Sequence, residues 1–334
     1  MKIFLCYGYR PYTTALYFER ALQQEHEVYY IGPAYWPRTG YTSNEDLFRL
    51  IENGLPQPDL VLFIEPGQRF FPRGLEKMVC PTAVYLVDVH QDLNHRLAQA
   101  PFFDYIFVAQ QDYVSVFAQM GYQQVYWLPL ACDPIVHGHK QETKKWDIGF
   151  VGHPNSVTRT RRLELLSKHF TMNDYHCFYP KEKISEIYSQ SKIVFNSAVN
   201  GDLNMRVFEG MASGSLLVTD QIKNGQEVLF KNGIHLVEYK DDSSLLKAVE
   251  YYLAHDEERE QIASAGAQLV MSEHTYWHRC QFIIKTIFDA GSPHLDAKLE
   301  LAWRQRRGYT KVLGIAFISV LRVLYHIARQ PHLS

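Results

Sequence analysis

Short apolar runs rich in β-branched and aromatic residues recur along the first 135 residues, separated by polar or amphipathic stretches. Residues 2–8, 27–31, 59–64, 82–87, 105–109 and 125–128 read as strands, several of them closed by Gly or Pro, as at Gly32-Pro33, Pro66-Gly67 and Pro129. Residues 13–24 and 111–120 read as helices, the first with Thr13 as N-cap and the second stopped by Gly121. The strand runs are continuously apolar rather than alternating. That pattern predicts a parallel sheet covered on both faces by helices.

The pattern breaks over residues 136–146, a polar stretch with no apolar period that reads as a linker. It restarts at Asp147-Ile-Gly-Phe-Val-Gly152. Strands are then expected at 193–196, 216–219 and 235–237, with helices at 159–169, 184–189, 207–212, 243–254 and 257–271. The expected organisation is a domain over 1–135, a linker over 136–146, a second domain over 147–280 and C-terminal helices over 281–334. The fold class is therefore α/β, with two doubly wound units. Such units place a ligand in the cleft outside the carboxyl ends of their strands.

Composition narrows the function classes. A chain of 334 residues that is 46 % hydrophobic and 21 % charged is a globular protein of about two domains, not a disordered or collagen-like one. Its net charge of −2 offers no global attraction for nucleic acid. Five cysteines, an odd number without a CxxC pair, argue against a disulfide framework and a structural zinc site, and point to a reducing compartment. The apolar start of the chain is broken by Tyr7, Tyr9, Arg10 and Pro11, too early for a secretion signal, so a cytoplasmic location is expected. The first strand is followed by Cys6-Tyr-Gly-Tyr-Arg-Pro11 rather than GxGxxG, and neither a Walker A sequence nor HExxH occurs. Dehydrogenase, P-loop and zinc-protease chemistry are disfavoured accordingly.

The stretch from Asn204 to Asp220 carries the most chemistry. It places Glu209 early in a short helix that ends at Gly214 before a buried strand. A carboxylate there can accept hydrogen bonds from two ribose hydroxyls, or simply serve the helix start electrostatically. The opening amides of the helix, with Asn204 and Arg206, can meet a diphosphate. In the first half, Asp88 and His90 follow a strand end, where a base can reach a substrate hydroxyl; a loop-starting Asp and a backbone-bonded His are the structural counterpart.

The segment Glu209-Gly-Met-Ala-Ser-Gly214 resembles the E-x-M-A-x-G nucleotide-sugar segment of GT-B glycosyltransferases of the family-4-like groups. More narrowly, the chain resembles the CgeB-like (spore maturation protein-like) glycosyltransferases. That likeness adds Trp127-Leu-Pro-Leu-Ala-Cys-Asp-Pro134, Asp147-Ile-Gly-Phe-Val-Gly152, Gly225-Gln-Glu-Val-Leu-Phe230 and His274-Thr-Tyr-Trp-His-Arg279. The resemblance implies a GT-B fold of two Rossmann-like domains, with the acceptor on the N-terminal one and the nucleotide sugar in the C-terminal one. It implies Glu209 on the donor ribose, and Gly152, His153 and the cluster from Arg159 to Arg162 at the diphosphate; the cluster equally suits a solvated helix face, and Arg159, nearest the helix start, is the candidate within it. It further implies hexosyl transfer from a UDP- or GDP-type sugar to a hydroxyl of a glycan, lipid-linked or protein acceptor, with no metal and no other cofactor. The family-4 pattern has a first glutamate eight positions before the second. Here that position is Gly201, with Asp202 beside it, so retention of configuration is not carried over. Asp202 and Asn204 are the candidates to replace it. The alternative is a non-catalytic nucleotide-sugar or glycan-binding protein on the same scaffold.

The last 34 residues hold six basic groups and no acidic one. At helical spacing Lys311, Ser319, Arg322, His326 and Arg329 share one narrow face, and the rest is apolar. Three readings stand: an in-plane helix on the inner face of the cytoplasmic membrane, packing against the N-terminal domain, or a homodimer contact.

Overall fold

The computed structural model describes residues 1–11, 13–35, 46–65, 70–154 and 156–289. The basic helix expected over 311–329, and its membrane or dimer roles, lie outside them. Among the described residues no helix is long and apolar enough to cross a membrane.

The N-terminal sheet has six parallel strands: β1 (Lys2–Cys6), β2 (Glu27–Ile31), β3 (Leu60–Glu65), β4 (Thr82–Leu86), β5 (Tyr105–Val108) and β6 (Val125–Trp127). Their order is β2-β1-β3-β4-β5-β6, so the winding reverses between β1 and β3. Every residue of β3 is buried, as its unbroken apolar run requires. Alternate residues feed two cores. Ile3, Leu5, Leu62 and Ile64 pack with helix α1 (Ala15–Leu22) on one face. Phe4, Cys6, Val61 and Phe63 pack with α2 (Leu47–Glu52), α3 (Leu93–Gln99) and α4 (Gln111–Gln119) on the other. Helix α1 starts one residue later than the sequence suggests, with Thr14 at the N-cap and the Thr13 hydroxyl accepting the Ala15 N–H at 3.4 Å.

The connection to the second sheet is more ordered than a polar linker. Asp133 accepts the N–H groups of Ile135 and Val136, and Pro134 occupies the first turn, which makes α5 (Pro134–His137). Val136 and His137, assigned to the linker from the sequence, are thus helical, and His137 is fully buried.

The second sheet contains β7 (Trp146–Gly149), β8 (Ser191–Phe195), β9 (Leu216–Asp220) and β10 (Val237–Tyr239), all parallel in the order β10-β9-β8-β7. Ile148 also pairs with Met172, so the winding reverses at β7. Around it lie α6 (Val157–His169), α7 (Lys181–Ser189), α8 (Met205–Ala212), α9 (Gln226–Leu229), α10 (Asp242–Ala254) and α11 (Asp256–Glu273). The chain then returns. Helix α12 (Tyr276–Phe288) packs on α1, with Tyr17 and Tyr276 stacked at 5.1 Å between ring centroids. The return is bolted by Arg279, which donates to the carbonyls of Pro129 and Leu130, and by paired backbone bonds of Cys132 with His274 and Tyr276. The His274–Arg279 motif therefore joins the two domains.

Candidate functional site

Three strand ends meet at the cleft. The first is that of β4. The chain turns at Asp88 in the left-handed region (φ 53°, ψ 41°), which Asp tolerates better than most residues, and enters a short 3-10 turn at Val89–Gln91. Arg96 holds this turn: it donates to the Val87 carbonyl at 3.3 Å and pairs at 2.7 Å with Glu65, whose side chain is wholly buried. Gln110 then bridges the domains. Its carbonyl accepts the Val89 N–H, and its amide donates to Asp202 at 3.0 Å. As a result, side-chain atoms of Asp88, His90 and Asp202 all lie within 4.8 Å of one another. The sequence offered Asp88 and His90 on one domain and Asp202 on the other; the fold brings the three together.

Burial raises the pKa of both Asp88 and Asp202. For Asp202 the Gln110 amide opposes that shift and the nearby Asp88 carboxylate adds to it. The buried Nδ1 of His90 has no hydrogen-bond partner. A carboxylate of raised basicity beside an imidazole can take a proton from a hydroxyl. Three such groups also span a gap that one divalent cation can bridge.

The second strand end, that of β8, leads into α8. Asn204 caps this helix by accepting the Arg206 N–H at 3.1 Å and is itself tied to the buried Asn196. Arg206 turns back rather than outward. It donates to the Val151 carbonyl at 3.1 and 2.9 Å and to Asn196 Oδ1 at 2.9 Å, and lies 4.3 Å over the Phe150 ring. Its guanidinium clamps the end of β7 instead of standing open at the helix start. Glu209 is the fifth residue of α8. It lies beyond the first turn, which corrects the expectation of an early carboxylate and removes its helix-capping role.

Glu209 faces a compact set of groups. Burial lifts its pKa to about 7, against the opposing charges of Arg206 and Lys181. Lys181, the first residue of α7, sits 4.3 Å over the Tyr17 ring, and burial lowers its pKa to about 8. His137 Nε2 is 3.4 Å from Glu209 Oε1. The imidazole is neutral there, because burial pushes its pKa down to about 3. Nδ1 accepts the Asp133 N–H at 2.9 Å, so Nε2 carries the proton; Nε2 is buried without a hydrogen-bond partner, and the Glu209 carboxylate is 3.4 Å away.

The third strand end, that of β7, carries Gly152 and His153, both exposed. Gly152 has φ +144°, and Arg206 fills the place of its missing side chain. Arg159 donates to the Ser197 carbonyl at 2.9 and 2.7 Å and to the His153 carbonyl at 2.9 Å. It knits the β7 and β8 loops together. Arg161 and Arg162 pair with Asp242, at 2.9 and 3.1 Å, so the basic cluster splits into two directions. At the rim the domains touch where Asn224 accepts the Asp112 N–H and Gly225 meets Trp127.

Four residues of this site escape sequence reading: Gln110, His137, Lys181 and Asn196. The pair Asp133-Pro134 is a helix-start signature that marks α5, and hence a burial position for His137. Nothing local marks the other three.

Residues 148–285 match a family model described as glycosyl transferase-like. No curated protein matches the chain by sequence. Among solved structures, HepE of Anabaena in complex with UDP and glucose aligns at 12 % identity and TM-score 0.60 over 86 % of this chain and 100 % of its own. An α-glucosyltransferase in complex with UDP and a 13-mer DNA aligns at 13 % identity and TM-score 0.62 over 86 % and 99 %. Sucrose-phosphate synthase of Thermosynechococcus elongatus aligns at 11 % identity and TM-score 0.56 over 87 % and 100 %. Two parallel α/β domains in this arrangement are the GT-B fold, and its C-terminal half in this chain is the part that matches the glycosyl transferase-like family model.

Proposed function

We propose that the protein transfers a sugar from a nucleoside-diphosphate sugar to an acceptor hydroxyl, without a metal. The observation that carries this reading is the meeting of Asp88 and His90 from one domain with Asp202 from the other. A transferase must hold its acceptor and the donor's anomeric carbon between its domains and remove a proton there, and these groups are suited to that task. The acceptor oxygen bonds to the anomeric carbon as the bond to the diphosphate oxygen breaks. The hydroxyl proton passes to the Asp88–His90 pair. Asp202 stands beside Gly201, where the family-4 pattern has a glutamate, and is the candidate for contact with the donor sugar. Glu209 takes the ribose, and the loop of Gly152 and His153 with the start of α8 at Asn204 approaches the diphosphate. Arg206 and Arg159 support that loop from behind through its carbonyls.

UDP or UDP-glucose in several structures of this fold makes a UDP sugar the first donor to test. The acceptor we propose is a glycan, a lipid-linked sugar or a protein; a net charge of −2 gives DNA no advantage. A cytoplasmic site of action, and a CgeB-like relationship, belong to the same proposal.

One observation favours the non-catalytic alternative. Arg159 and Arg206 already donate to backbone carbonyls, which leaves few of their N–H groups for direct bonds to a diphosphate. Turnover separates the two readings. The full chain is incubated with UDP-, GDP-, ADP- and dTDP-sugars, and release of nucleoside diphosphate is measured with and without EDTA. Release that survives EDTA and is lost in Asp202→Asn supports the transferase. Binding of a nucleotide without release supports the binder, and release that requires a divalent cation would move Asp88, His90 and Asp202 to cation ligands.

A further inference from the structure

The segment that joins the domains also reaches the proposed ribose carboxylate. Asp133 caps α5, pairs with Arg20 of α1, and donates its own N–H to His137 Nδ1. Arg20 belongs to the first domain, whereas Glu209 belongs to the second. His137 stands between them, fully buried, with the Tyr17 ring edge-on at 5.1 Å. Its orientation is set from two sides, by the Asp133 N–H behind and Tyr17 beside, and its buried, unpartnered Nε2 stands 3.4 Å from Glu209 Oε1.

We propose that His137 is a positioning residue for the donor site: its Nε2–H orients the Glu209 carboxylate toward the ribose and, through Asp133 and Arg20, ties that carboxylate to the N-terminal domain. The inference rests on Glu209 being the ribose acceptor. A neutral N–H suits the task. It favours the ionised carboxylate without placing a second buried cation next to Lys181 and Arg206, the charged groups that already face Glu209. The other titratable neighbours are Tyr17 on α1, Tyr188 on α7, Tyr276 on α12 and Cys132, with Asp133 and Arg20 at the far end of the chain of contacts. Because the Nδ1 bond to Asp133 sets which nitrogen carries the proton, the connecting segment itself determines that a donor N–H stands beside Glu209.

The test uses the full chain and the tightest binder among UDP, GDP, ADP and dTDP. Dissociation constants are measured across pH for wild type, His137→Leu, His137→Gln, Glu209→Gln and the His137→Leu/Glu209→Gln double variant. We expect His137→Leu to weaken binding about tenfold. The amide of His137→Gln can donate from nearly the same place and should recover most of that loss. The double variant should bind no more weakly than Glu209→Gln alone. The pH at which affinity is half developed should rise in His137→Leu and stay at the wild-type value in His137→Gln. Wild-type affinity in His137→Leu, or equal losses in both His137 variants that add to the Glu209 loss, would reduce His137 to hinge packing. Should His137→Leu fail to fold, His137→Gln carries the test: a changed pH midpoint overturns the inference. If Glu209→Gln binds like wild type, or no nucleotide binds at all, the ribose reading falls and this inference with it. If Glu209→Gln loses affinity and His137→Leu does not, only the inference falls.

Discussion

A Cβ on Gly152 would stand 2.2 Å from Nη2 of Arg206. The glycine at the end of the β7 loop and the arginine at the start of α8 thus share one space, and the loop's shape depends on both. Gly152 also has φ +144°, which L residues rarely adopt. Gly152→Ala should therefore push Arg206 off the Val151 carbonyl and strain the backbone, costing about 1–3 kcal/mol of stability in urea unfolding. Nucleoside-diphosphate affinity should fall as well. Full retention of both would show that the loop yields easily and does not shape the site.

Glu209 makes stability depend on pH in a definite direction. Burial raises its pKa from 4.5 to about 7, so the folded protein holds this proton more tightly than the unfolded chain. The associated stability is fully present below about pH 4.5 and is lost as pH rises through about 7. The loss is on the order of 3 kcal/mol for a shift of this size. Glu209→Gln should accordingly melt higher than wild type at pH 8 and close to it at pH 5. Thermal melts at the two pH values check this, and equal offsets at both would contradict it.

Donor affinity should follow the same titration with opposite sign. On the proposed role of Glu209, ribose hydroxyls donate to its ionised carboxylate, so nucleotide affinity should increase from pH 5.5 to 8 and lose that dependence in Glu209→Gln. Titration calorimetry at fixed ionic strength is the measurement, since salt independently changes diphosphate binding.

The cluster at the cleft predicts a separation of binding from turnover. His90→Ala and Asp88→Asn should lower kcat by about 10²–10⁴-fold, the usual contribution of a positioned acid or base, while nucleotide affinity stays near wild type. Comparable losses in Kd would instead make these residues part of the donor contact.

The pair of Arg96 and Glu65 lies beneath that cluster. Arg96→Met removes the cation paired with a wholly buried carboxylate, which costs about 3–5 kcal/mol. It also releases the Val87 carbonyl, so the Asp88 turn should loosen. Arg96→Met with Glu65→Leu removes both charges and should recover much of the stability but not the turnover. Recovery of both would show that Arg96 does not hold the Asp88 turn.

The sequence determined the architecture because parallel strands buried on two faces must be continuously apolar, and such runs are readable one by one. Lys2–Cys6, Leu60–Glu65 and Leu216–Asp220 stand where the pattern placed them. It also marked the strand ends, and with them Asp88, His90, Gly152 and His153, since a ligand cleft follows from winding order. What it left open is partnership between distant segments. Asp202 was one of two stand-ins for a missing glutamate, and only the packing of the β8–α8 loop against Gln110 brought it to Asp88 and His90. Arg206 and Arg159 carried the chemistry of anion binding, yet their guanidiniums satisfy buried carbonyls that no local pattern reveals. His137 lies in a polar stretch of sequence yet is one of the most buried side chains, because α5, α1 and α8 close around it. Local hydrophobic period fixes which face of an element is covered. Which polar group then meets which is decided when buried donors and acceptors from remote segments must all be satisfied at once.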